Sequence, residues 1–246
     1  MNTSKNNQLK MKQGFLKRVI FLKFCYFSLL IVFVSCKNKT DKPTNLSFDS
    51  KQSTKVVKSQ KTTSKKIIFF GDSLTAGYGL DDINDAFPGL IQQKIDSLQL
   101  KYTVVNSGVS GETTAGGKNR IDWVLSTKPD IFILELGAND GLRGLPLKET
   151  EKNLQTIISR VKKKYPDTKI VLAGMQIPPN MGPEYATAFK NIFPNLAAKN
   201  KLALVPFLLE NVGGISALNQ TDGIHPTAEG HSILAENVWI ILKEIL

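Results

Sequence analysis

From Ile67 to the C-terminus, short β-branched and aromatic runs alternate with longer stretches whose apolar side chains recur every three or four positions. The short runs predict strands at 66–70, 103–106, 131–136, 169–173 and 202–206. The longer stretches predict helices at 87–98, 116–126, 148–164, 184–199 and 228–245. Strands that look apolar on both faces, each followed by a helix, call for a parallel sheet covered on both sides. The expectation is therefore an α/β fold over 67–246: one three-layer α/β/α sandwich with a five-stranded parallel sheet. No internal repeat and no second domain stand out. In such sheets function gathers where the C-terminal ends of the strands meet the loops, so those junctions carry the chemistry to be sought.

The N-terminal pattern is different. Six basic residues and no acid occupy residues 1–35, leading into the twelve-residue apolar run 24–35. At ~1.5 Å rise per residue that run is too short for a ~30 Å hydrocarbon core, which favours a signal segment over a spanning helix. It ends at Phe33-Val34-Ser35-Cys36, which resembles the lipobox of bacterial lipoproteins. That resemblance implies cleavage after residue 35, lipidation of Cys36 and an exported, envelope-located chain held to a membrane. An ordinary signal peptide with an incidental cysteine is the plainer alternative. Residues 36–66 are rich in Lys, Ser and Thr, with nine Lys against two Asp, and read as a solvated tether.

Composition changes the picture in two ways. The formal charge of +11 suggests nucleic acid until it is located: the first 66 residues hold all the excess, and 67–246 carry 17 basic against 19 acidic residues. A basic footprint on the folded part is thus disfavoured, and no nucleic-acid partner is expected. Both cysteines, Cys25 and Cys36, precede the domain, so it can hold neither a disulfide nor a Cys-based metal site. The whole chain is 41% hydrophobic, and a domain of ~180 residues is long enough to build its core without such staples.

Four strand-end junctions carry candidate chemistry. The first strand runs into Gly71-Asp72-Ser73-Leu74, which places Ser73 on a tight turn as a nucleophile or, more plainly, as a helix N-cap. The motif is neither a G-x-S-x-G elbow nor a phosphate loop. After the second strand, Gly111 can turn its amide into the same crevice, or simply belong to a connecting loop. After the third, Asn139 offers a neutral donor for developing negative charge, or a turn. The last is Asp222-Gly223-Ile224-His225-Pro226. His225 and His231 are the only histidines, and an aspartate three residues before His225 can fold back onto its Nδ1, leaving Nε2 free as a base. An N-cap role for Asp222 is the alternative, and His231, inside the last helix, reads as structural.

Together these blocks, Gly71-Asp72-Ser73-Leu74, Gly111, Gly137-Ala138-Asn139-Asp140 and Asp222-Gly223-Ile224-His225-Pro226, resemble the GDSL esterases of the SGNH-hydrolase superfamily. The later runs Gly141-Leu142-Arg143-Gly144 and Met175-Gln176-Ile177-Pro178 are similar to its thioesterase I, lysophospholipase L1 and arylesterase branch. The resemblance implies a flavodoxin-like SGNH fold and a triad of Ser73, His225 and Asp222. It implies oxyanion donors at the Ser73 amide, the Gly111 amide and the Asn139 side chain. The activity implied is hydrolysis of lysophospholipid, aryl or short-to-medium acyl esters, and of thioesters, through an acyl-serine. Leu74, Tyr78, Leu142, Leu145, Ile177 and Pro178 are candidates for an apolar acyl groove, with core packing as their alternative. No metal or cofactor is called for, and a monomer acting on a small ester or lipid is expected. The rivals are a carbohydrate acetyl-esterase on the same fold and a catalytically silent, membrane-tethered binding lipoprotein. A flavodoxin-like nucleotide binder is disfavoured because Asp72 would repel a phosphate at the first loop.

Overall fold

The computed structural model describes residues 64–246, so the predicted signal segment, Cys36 and nearly all of the tether lie outside the described residues. Five strands, β1 (Lys65–Gly71), β2 (Tyr102–Gly108), β3 (Ile131–Glu135), β4 (Lys169–Ala173) and β5 (Ala203–Val205), make one parallel sheet in the order β2-β1-β3-β4-β5. The helices are α1 (Ser73–Ala76), α2 (Phe87–Ser97), α3 (Thr114–Val124), α4 (Ala138–Leu142), α5 (Leu147–Lys164), α6 (Pro183–Asn200) and α7 (Ala228–Leu242). Helices α2 and α7 pack together, while α3, α5 and α6 pack in succession, which gives one helical layer on each side of the sheet.

The two central strands explain the layering. Ile67, Ile68, Phe69 and Phe70 of β1 and every residue of β3 are buried, so each strand needs cover on both faces. Ile91 and Ile95 of α2 and Leu234, Val238 and Leu242 of α7 supply apolar stripes for one layer. Leu154, Ile157, Ile158 and Val161 of α5 and Phe189 and Phe193 of α6 supply the other. Gly117 lets α3 sit unusually close to the sheet, because a Cβ there would overlap the Leu136 side chain and crowd Phe70.

Three details depart from the sequence pattern. Strand β1 starts at Lys65, so the tether ends two residues before its polarity does, since Lys65 and Lys66 stay exposed while pairing with Tyr102 and Thr103. Strand β2 is not apolar on both faces: as an edge strand it is only half-buried. Helices α1 and α4, of four and five residues, are too short to leave a periodic signature.

The strand order reverses between β1, whose chain continues to the β2 side, and β3, which continues the other way. At this reversal a parallel sheet opens a crevice beyond its C-terminal edge. Ser73 follows β1, Gly111 follows β2 and Asn139 follows β3, so all three stand around it.

Candidate active site

Strand β1 passes through Gly71 directly into α1. Asp72 caps this helix by accepting the Leu74 N–H at 3.0 Å, and Gly77 ends it in the left-handed conformation (φ 76°). Because Asp72 takes the cap, the Ser73 hydroxyl is left for a different partner. As the first helical residue, Ser73 also has a backbone N–H with no carbonyl four residues back to bond.

That partner comes from the far end of the chain. Ser73 Oγ lies 2.9 Å from His225 Nε2, and His225 Nδ1 lies 2.6 Å from Asp222 Oδ2. Asp222 turns back on itself through Gly223 (φ 74°), its Oδ1 accepting the N–H groups of both Ile224 and His225 at 3.0 Å. It does not cap α7; Thr227 does, by accepting from Gly230 N–H. The imidazole and the two backbone donors hold the Asp222 carboxyl down to about 2. It therefore remains an acceptor for Nδ1–H at all ordinary pH, and Nε2 is the ring nitrogen that faces the serine hydroxyl. Tyr78 packs beside the imidazole, with ring centroids 4.6 Å apart.

Ser73, Gly111, Asn139 and His225 line one cavity of about 600 Å³. Leu74, Tyr78, Leu142, Ile177 and Pro178, five of the six groove candidates, line it too. Leu145 does not. The chain reverses at Gly144 (φ 63°), and Leu145 is tied away from the cavity by its N–H to Asp140 and by its carbonyl, which accepts the Tyr185 hydroxyl at 2.7 Å. Further lining comes from Met175 after β4, in the Met175-Gln176-Ile177-Pro178 run, and from Phe207, Leu209 and Gly213 after β5, which belong to no motif. Neither Trp123 nor Trp239 lines it, so no indole is available there to stack on a sugar ring. Among the described residues no cluster of three or more His, Cys, Asp or Glu is arranged to hold a metal ion.

Supporting groups tie the loops together. Arg120 of α3 lies 4.1 Å above the Phe70 ring, pairs with Glu112, and donates to the carbonyls of Gly71 and Ser107, thereby joining the β1 and β2 loops. Asp140 accepts from the Thr114 N–H and hydroxyl and from Thr150 Oγ1. Asn139 donates Nδ2–H to Asp72 Oδ2 at 3.1 Å. Burial pushes the Asp72 carboxyl up to about 6 despite its bonds from Leu74 and Asn139. Sequence reasoning missed Asp72, Arg120 and Arg143 as parts of the site. For Arg143 a signal existed, since it stands four residues after Asn139, one helical turn on.

A family model described as GDSL-like Lipase/Acylhydrolase matches residues 69–233. The chain belongs to this GDSL-like lipase/acylhydrolase family. Its relatives include esterase TesA of Pseudomonas aeruginosa, 39% identical over 192 residues that cover 78% of this chain and 94% of the relative. The Escherichia coli K12 protein named thioesterase 1/protease 1/lysophospholipase L1 is 36% identical over 171 residues, 69% of this chain and 79% of that one. A crystal structure of TesA superposes with a TM-score of 0.71 at 40% identity, covering 74% of this chain and all of that one. The five-stranded α/β/α sandwich is thus the SGNH hydrolase fold, and this GDSL protein is an ester-bond hydrolase.

Proposed function

We propose that the protein is a serine esterase in which Ser73 is the nucleophile, His225 its general base and Asp222 the group that orients the imidazole. The observation that carries this reading is the unbroken chain Ser73 Oγ to His225 Nε2 (2.9 Å) and His225 Nδ1 to Asp222 Oδ2 (2.6 Å) at the cavity. Ser73 attacks the ester carbonyl while Nε2 takes its proton. The oxyanion is met by the amides of Ser73 and Gly111 and by the Asn139 side chain. His225 returns the proton to the leaving alcohol, then activates a water that hydrolyses the acyl-serine.

The substrates we propose are esters with an apolar acyl chain: lysophospholipid, aryl or short-to-medium acyl esters, with thioesters accepted chemically. Large apolar side chains that stay exposed at the cavity, Tyr78, Leu142 and Ile224, favour such a chain. Cys36 is the proposed lipidation site, with residues 1–35 removed as a signal, 36–66 serving as tether, its last two residues paired in β1, and the hydrolase domain held at an envelope membrane. Oxygen esters of lipids suit that location better than cytosolic acyl-CoA.

Hydrolysis of p-nitrophenyl esters from acetate to palmitate by the full chain in mild detergent, beside Ser73→Ala, tests this reading. Loss of activity in Ser73→Ala supports it, and the chain-length optimum separates a lipid esterase from an acetyl-esterase. Folded wild-type protein inert on every ester would overturn it in favour of a silent binding lipoprotein. Metabolic labelling with palmitate, abolished in Cys36→Ser, tests the anchor separately.

A further inference from the structure

The side chain of Asn139 is gripped at both ends. Its Nδ2 donates to Asp72 Oδ2 at 3.1 Å, and its Oδ1 accepts from Arg143 Nη2 at 3.3 Å. The same Arg143 nitrogen donates to the Gly111 carbonyl at 3.0 Å. One guanidinium thus joins the loop after β2 to the helix after β3, and both of those contribute to the cavity beside Ser73.

The chemistry of the two grips settles which way the amide faces. A carboxamide is nearly symmetric in shape, so a flip of Asn139 would cost little in packing. Flipped, it would press Oδ1 against a carboxylate and Nδ2 against a guanidinium N–H, two repulsive contacts in place of two hydrogen bonds. The two N–H bonds of Nδ2 diverge by ~120° in one plane, so with the first on Asp72 the second is directed elsewhere. Asn139 lines the cavity with Ser73 and Gly111, where a substrate oxygen would accept it.

Asp72 is committed to this duty. Its Oδ1 already accepts the Leu74 N–H, so its two oxygens hold the start of α1 and the Asn139 amide in one rigid unit. A carboxylate beside a developing oxyanion is electrostatically unfavourable by itself. The grip on Asn139 is the compensating gain, and the Arg143 cation on the other side of the amide offsets the charge.

We propose that Asp72 and Arg143 are positioning residues that act through Asn139, fixing its amide from opposite ends so that one N–H is permanently aimed at the reacting oxygen. This rests on the serine-esterase reading. It predicts a loss in turnover without a matching loss in substrate binding, because a pre-aimed donor matters most once negative charge develops.

The test is a set of double-mutant cycles on the full chain, with kcat and KM measured on p-nitrophenyl butyrate. Arg143→Met and Asp72→Asn are each expected to lower kcat by roughly 10–100-fold with KM within about threefold of wild type. In an Asn139→Ala background each is expected to lower kcat by a clearly smaller factor, since the group they aim is gone and only the Arg143 bond to Gly111 and the Asp72 cap on α1 remain to be lost. Arg143→Lys should restore part of the loss, its single ammonium replacing one of the two bonds. Undiminished losses in the Asn139→Ala background would overturn the proposal, as would losses confined to KM. Arg143 is exposed, so Arg143→Met keeps the test decisive even if Asp72→Asn fails to fold. Failure of the esterase reading looks different: Ser73→Ala would then keep wild-type turnover, whatever the cycles give.

Discussion

Glu135 Oε2 accepts the backbone N–H of Asp72 at 3.1 Å, placing one fully buried carboxyl directly behind the residue that caps the helix carrying Ser73. Thr75 Oγ1 donates to the same oxygen, while Oε1 has no hydrogen-bond partner among the described residues. No ion pair with a described Lys or Arg reaches either Asp72 or Glu135. Burial, and then the nearby Asp72 charge, push Glu135 well above the usual carboxylate range.

That relationship sets a pH dependence of stability. An acid whose folded pKa is raised holds its proton longer in the folded state. Its contribution is fully present below the unfolded value of 4.5 and is lost as pH rises through the folded value. Glu135→Gln keeps the shape and removes the ionisation. Its stability relative to wild type should therefore climb as pH rises above 4.5 and level off once the folded value is passed, in urea unfolding. A difference that stays constant with pH would rule the account out.

His231 gives the opposite slope. It is buried in α7, accepts the Phe87 N–H on Nδ1 at 3.3 Å and stacks on the Phe87 ring. Burial, helped by His225, lowers it from 6.5 to about 4. The unfolded chain binds this proton first, so stability is complete above pH 6.5 and is lost as pH falls towards 4, by about 3 kcal/mol at most. Asp72, raised from 3.8 to about 6, opposes this in the same window, so only a comparison of variants isolates His231. His231→Phe should cost about 1–3 kcal/mol at pH 7, through the orphaned Phe87 N–H, yet lose less than wild type on going to pH 4.5. Equal acid losses in the two proteins would exclude the assignment.

Removal of the proposed triad should be severe and non-additive. Ser73→Ala and His225→Ala are each expected to lower kcat on the order of 10⁴-fold or more, and the double variant little further. Asp222→Asn places an N–H where Nδ1–H must donate, favouring the wrong imidazole tautomer, and should cost about 10⁴-fold. Steady-state rates at unchanged melting temperature are the measurement.

Asn139→Ala removes one proposed oxyanion donor and should lower kcat roughly 10²–10³-fold with little change in KM. Full activity in this variant would take Asn139 out of the oxyanion hole.

Arg120→Met breaks a largely buried pair with Glu112 and frees the carbonyls of Gly71 and Ser107. A cost of about 3–5 kcal/mol is expected, because the Glu112 charge is left buried and unpaired. Denaturant titration would show it, and a loss below about 1 kcal/mol would mean that water replaces the guanidinium.

What the sequence determined by itself is local. Strand and helix periodicity located every strand and each helix of eleven residues or more, because burial on two faces or one stripe imprints itself on consecutive positions. Asp222 and His225 were legible as a pair because a Gly turn three residues long closes their contact. The scarcity of histidine and the Gly-flanked Ser73 then named the remaining partner. Tertiary structure alone decided the rest. Ser73 meets His225 across 152 residues of chain, Asn139 meets Asp72 across 67, and Arg120 reaches Gly71 across 49. None of these leaves a periodic trace, since each depends on how strands β1, β2 and β3 are ordered and how closely α3 sits on them. The same holds for the groove: Leu145 looked as suitable as Leu142, and only the reversal at Gly144 turns it away from the cavity. Residue type sets what a side chain can do, whereas strand order and loop direction set which partners it meets.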